Sequence, residues 1–124
     1  MIVTALVPLR ILHNADAAGV RRPFDDEKFT QTASEMAQKF GGGTLFRFPE
    51  GSSPVGYWWS RGILHMDELA VLEVDMEDNQ ANRAWMEDYA RRVLIDRFEQ
   101  DAVYVKFYGG GATVQTVAVA RSAV

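Results

Sequence analysis

The residues best placed to do chemistry form a short acidic series. Glu73 and Asp75 stand two apart in LAVLEVDM, so on a β-strand both carboxylates leave the same face. Desolvated there, their mutual repulsion raises one pKa, which is how a carboxylate becomes a general base near neutrality. In the competing arrangement, Lys106 or an arginine from a neighbouring strand or subunit neutralises them as a cross-strand pair. Upstream, His65 and Asp67 share the same spacing and on an extended segment offer two ligands to one metal ion. A metal site would also need His13, the only other histidine, or Glu73 or Asp75 to converge; otherwise the pair is a solvated turn flank. Arg21 and Arg22, with Arg10 and His13 nearby, suit an anionic ligand or an acidic partner, or are simply solvated.

Aromatic residues supply the second set of candidates. Tyr104, Lys106 and Tyr108 alternate along AVYVKFY and share a face, in the manner of the sheets on which RNA-binding domains stack bases. The sequence there does not match the RNP signature, and a formal charge of -4 opposes phosphate binding, so nucleic acid is disfavoured and a subunit contact preferred. Tyr57, Trp58 and Trp59 are consecutive, so on a strand their rings alternate between faces. One ring is expected in the core and another exposed, where it caps a ligand pocket, anchors an interface or covers a sheet edge.

The elements that must position these residues are readable from pattern. Ile2 to Leu9 is an apolar, β-branched run bounded like a buried strand, and residues 11–23 show no period and read as a surface loop. Asp25 is placed as an N-cap, Phe24 and Phe29 as a staple, and Gly41 as the left-handed stop of a helix. Thr44 to Phe48 and Tyr57 to Arg61, either side of a Pro- and Gly-rich turn, read as a β-hairpin. Glu68 to Met76 reads as a strand with Ala70, Leu72, Val74 and Met76 on its core side. Asn79 to Gln100 carries the longest helical period, and Ala102 to Tyr108 is the last clear strand. The expected fold class is α+β, a ferredoxin-like βαββαβ arrangement with an antiparallel sheet, two helices on one face and a β-hairpin elaboration. Residues 1–111 form the domain, and 112–124 form a tail or extra strand.

The stretch from Phe40 to Asp75 contains an aromatic residue, GGxT, a Gly-x-Trp on the following strand and an acid before an apolar strand. Through Thr44, Gly56 and Trp58 it resembles a loose group of small uncharacterised bacterial ferredoxin-like proteins. The resemblance implies the fold and no agreed activity, so it assigns no functional residue.

Composition bounds the rest. The 124 residues, 48% hydrophobic and 24% charged, suit one globular domain. The absence of cysteine excludes disulfides, thiol nucleophiles and cysteine-bound metals. No signal peptide and no apolar run of membrane-spanning length is evident, so a cytoplasmic protein without a membrane partner is expected. Neither glycine triplet has the ending of a phosphate loop, and no cofactor is implied. The main functional expectation is a non-enzymatic binding or interaction module, homodimeric through an open sheet face that includes Leu6, Val71, Tyr104, Lys106 and Tyr108, with Trp58, Trp59, Arg21 and Arg22 as further contacts. On that reading the tail adds a strand to the neighbouring subunit. The alternative is a small enzyme between the sheet and the 10–23 loop, with Glu73 or Asp75 as base and His65 or His13 assisting. Regulation of a larger protein partner would use the same surfaces.

Overall fold

A computed structural model describes residues 1–49, 51–109 and 114–121. It is an α+β structure in which two helices pack on a six-stranded antiparallel sheet. β1, Ile2–Arg10, is central and pairs with β4, Ile63–Glu77, on one side and β5, Ala102–Gly109, on the other. β2, Thr44–Phe46, lies along the outer edge of β4, and β6, Val114–Ala120, along the outer edge of β5. The segment expected as a tail or extra strand thus pairs, over Val114–Ala120, with β5 of its own chain. The boundary expected between 111 and 112 falls outside the described residues.

Strict alternation sets the core. Val3, Ala5, Val7 and Leu9 of β1, Leu72 and Val74 of β4, and Val103 and Val105 of β5 are fully buried on one side. Burial of side chains of this size contributes about 1.5–3 kcal/mol each before the entropy of ordering the chain is subtracted. Against them lies α1, Asp26–Phe40, through Phe29 and Met36. Gly41 closes that helix at φ 92°, a left-handed value that glycine adopts without a Cβ clash. α2, Gln80–Tyr89, begins at Asn79, whose side chain accepts from the Asn82 amide. It continues through a π-helical turn, Ala90–Leu94, and a final turn, Ile95–Arg97. The π turn lies within the run Ala90, Leu94, Ile95 and Phe98, all buried. No helix of the described residues is long and apolar enough to cross a membrane.

The expected hairpin between the segments at 44–48 and 57–61 does not form. β2 and β3, Val55–Ser60, both pair with β4, at Val71–Glu73 and Ile63–Glu68 respectively. The hairpin is β3–β4, closed by Arg61 and Gly62 with φ 52° and 73°, the two left-handed residues of a type I′ turn whose twist matches paired strands. β4 is therefore 15 residues long, and its first part projects beyond the helical layer as an arm. Tyr57, Trp58 and Trp59 sit on this arm, 63%, 41% and 71% exposed. The expectation that one of these rings enters the core is corrected, because no helix reaches that far along the sheet to cover it.

Candidate functional site

β4 carries every acidic candidate, and its neighbours give them different surroundings. Asp67 is buried. Arg10 donates to it at 3.0 Å from the end of β1, and Arg21 at 2.6 Å from the following loop. Arg21 also donates to the carbonyls of His13 and Leu12, so the loop is fastened to the sheet through one carboxylate. Beside this cluster, His13 Nδ1 lies 2.5 Å from Glu99 Oε2, and the Asn14 amide donates to Glu99 Oε1. The Asn14 and His13 hydrogen bonds hold the Glu99 carboxyl below its usual pKa. Each Asp67 carboxylate oxygen is thus engaged by one guanidinium, which makes the residue an anchor between sheet and loop. His65, the other metal candidate, stacks on Trp58 with centroids 5.1 Å apart. Among the described residues, no group of three or more metal-ligating side chains converges.

Glu73 and Asp75 lie further along β4. They flank a depression of about 290 Å³ at the sheet edge, lined also by Phe40, Gly42, Gly43 and Thr44. The depression exists because β2 begins at Thr44, opposite Glu73, while β4 runs on past it. Gly43 lets the incoming chain lie against β4; a Cβ there would sit 3.2 Å from the Glu73 carbonyl oxygen and 3.4 Å from Val74 Cγ2. Asp75 accepts from Thr4 Oγ1 at 2.5 Å, which fixes its orientation. Glu73 is half-buried, and no described side chain or backbone group hydrogen-bonds or ion-pairs with its carboxylate. The anticipated neutralisation by Lys106 is not made. The row across the sheet reads Thr44, Glu73, Leu6, Lys106, which puts the ammonium-bearing residue two strands away, about 10 Å at the usual strand spacing.

The structure separates the other candidates. His65 and Glu73 stand eight positions apart on β4, about 27 Å at the usual rise per residue. His13 follows Arg10, whose partner on β4 is Leu69, and so belongs to the Asp67 end of the sheet. Neither histidine serves the carboxylate pair, which corrects the expected combination of the two. Val71, Tyr104, Lys106 and Tyr108 share the sheet face away from the helices. Arg21 is committed to Asp67, and Arg22 is exposed. Sequence reasoning missed Phe40, Gly42 and Gly43 as companions of the acids. The glycine triplet was the available signal, of which only Gly41 was given a role, as the helix stop.

No family model and no curated protein matches the chain. Among solved structures it is similar to a phage SAM lyase in complex with S-methyl-5'-thioadenosine, with a TM-score of 0.60 and 10% identity over 94% of this chain and 89% of that one. It is also similar to a phage SAM lyase in the apo state, with a TM-score of 0.51 and 10% identity over 94% and 88%. At this identity the likeness is one of fold. It overturns the expectation of a non-enzymatic binding module, because both of these fold neighbours are SAM lyases.

Proposed function

We propose that the protein is an enzyme of the lyase type, and that it draws a small cationic substrate into the depression beside Glu73 and Asp75. The observation that carries this reading is Glu73, a half-buried carboxylate with no cationic partner among the described residues. A partly desolvated charge without a partner is costly, and a bound cation removes that cost. The likeness to SAM lyase supports S-adenosylmethionine as the first substrate to try, a sulfonium compound whose positive charge suits two acids and whose adenine suits the Phe40 ring. The sheet order β2-β4-β1-β5 supports the ferredoxin-like form of the α+β fold, with β3 and β6 as additions to a single domain.

Cleaving a carbon–sulfur bond of a sulfonium leaves both electrons on sulfur, which departs as a neutral thioether. The carbon is satisfied from within the substrate. Ring closure by the substrate's own carboxylate needs no enzyme base, whereas formation of a double bond hands a proton from the adjacent carbon to Glu73. In either course the substrate's sulfonium charge is lost. The two carboxylates then hold the substrate more tightly than the thioether, which favours release of product. Asp75, oriented by Thr4, holds the substrate ammonium.

Incubation of the protein with S-adenosylmethionine, followed by mass spectrometry for S-methyl-5'-thioadenosine, tests the proposal. Product should form, and Glu73→Gln should lower its rate by about 100-fold. Absence of product together with absence of calorimetric binding of S-methyl-5'-thioadenosine would remove the substrate assignment.

A further inference from the structure

The arm formed by β3 and the first part of β4 is built as a contact surface. One of its faces presents Val55, Tyr57 and Trp59 and, across the hairpin, Leu64 and Met66, which are 42%, 63%, 71%, 52% and 57% exposed. The other presents Trp58 and Ile63, 41% and 59% exposed. Five large apolar side chains on one face, all more than two-fifths exposed, form the kind of contiguous patch that marks an interaction site. The backbone is open as well. Among the described residues β3 pairs only with β4, so its outer edge lacks a neighbour, whereas the other edge of the arm meets the chain after β1 only at its base, where the Ile11 amide donates to the Glu68 carbonyl. A two-stranded hairpin without cover is marginally stable in water.

We infer that the arm docks on the arm of a second copy of this chain, independently of the reaction proposed above. The β3 edge is self-complementary about a two-fold axis. Antiparallel pairing centred on Trp58 sets Tyr57 of one copy beside Trp59 of the other, so that the exposed aromatic stripes of both arms become continuous and each edge gains backbone hydrogen bonds. Charge argues against the other apolar occupant, a lipid surface. Arg61 is the single Lys or Arg between Val55 and Glu68, and the chain carries a net charge of -4, whereas segments that lie on anionic membranes are rich in both cations.

Sedimentation of the full chain across the micromolar range reads the outcome. The unaltered protein should sediment as a dimer or larger assembly, and Trp59→Glu should weaken association by at least about 30-fold while leaving the far-ultraviolet circular dichroism unchanged. Trp59→Phe should retain the assembly. Tyr104→Glu, on the open sheet face, should leave its mass unaltered. A monomer at every concentration, or an assembly that Tyr104→Glu dissociates and Trp59→Glu does not, would overturn the inference. So would a solution monomer that co-sediments with phosphatidylcholine–phosphatidylserine vesicles, which would give the arm to a membrane.

Discussion

Asp67 and Glu73 stand six residues apart on one strand and have opposite fates. Asp67 is buried and held by Arg10 and Arg21 at 3.0 and 2.6 Å, whereas Glu73 is half-buried with its nearest sheet cation two strands away. Their spacing places the two on the same face of an ideal strand or nearly so, and nothing in the residue type separates them. The neighbours do. At the Asp67 end, β1 has run out into a loop that brings an arginine back; at the Glu73 end, glycines lead into β2 and leave space. A carboxylate held by two guanidinium groups ties structure together, and one left without them is free to meet a ligand.

Removing Asp67 should therefore be the most damaging change to the fold. Asp67→Ala leaves the largely buried Arg10 guanidinium without its anion and should cost about 3 kcal/mol in urea denaturation; a loss under about 1 kcal/mol would erase the distinction between the two acids. Glu73→Gln should do the reverse, changing stability by no more than about 0.5 kcal/mol while suppressing turnover. If Glu73→Gln is the more destabilising of the two, the assignment of structural and ligand-binding roles is inverted.

A smaller effect is expected where a carboxylate is paired in the helical layer. Arg97 donates to Glu35 at 2.6 Å and to Thr32 at 2.8 Å, and Tyr89 donates to Glu35 at 2.7 Å. Glu35→Ala should cost about 1.5 kcal/mol by leaving Arg97 and Tyr89 short of an acceptor, readable as a lowered unfolding midpoint that Glu35→Gln partly restores. Full stability in the alanine variant would show that water replaces the acceptor.

The same pairs set the response to pH. The Arg97 hydrogen bond holds Glu35 low against the opposing effect of burial, the Arg83 hydrogen bond does the same for Asp78, and the Asn14 amide lowers Glu99. Depressed folded-state values give stabilisation that is present above the ordinary carboxylate values of 4.5 and 3.8 and is lost as pH falls through the lower folded values. Tyr89 is shifted upward, chiefly by burial and then by its bond to Glu35. Its contribution is complete below the ordinary 10.0 and fades as pH rises through the folded value. Thermal melts from pH 7 down to pH 3 should show a progressive fall that Glu35→Gln makes shallower. A melting temperature flat over that interval would contradict all three carboxylate pairings.

The last and smallest effect concerns Asp75. Thr4→Val removes its 2.5 Å donor at the surface and should cost under about 1 kcal/mol of stability, with any loss of activity appearing in KM before kcat. Equal losses in both would mean that Thr4 does more than orient Asp75.

Much of the frame was legible in the residues. The two-residue alternation of Val3, Ala5, Val7 and Leu9 and of Ala70, Leu72, Val74 and Met76 predicts which faces are buried, and all are buried. Asp25, Gly41 and Asn79 mark helix ends within a residue or so of their observed places. Pairing was less legible, because β2 and β3 both present aromatic strands next to turn residues, and only the continuity of β4 past Leu69 shows that each joins it. The carboxylate pair at 73 and 75 was legible as a pair. Its distance from both histidines, and the glycine-lined space beside it, was not.

Local periodicity, caps and turn residues depend on neighbours in the chain, so the sequence by itself determined the elements, their buried faces and the shared face of Glu73 and Asp75. Which acid meets an arginine, which meets open space, and which aromatic rings escape the core depend on register between strands distant in the chain. Those were decided by tertiary structure alone, because a hydrogen bond or ion pair acts over a few ångströms and the chain brings Arg10, Arg21 and Asp67 within that range only when β1, its loop and β4 are in place.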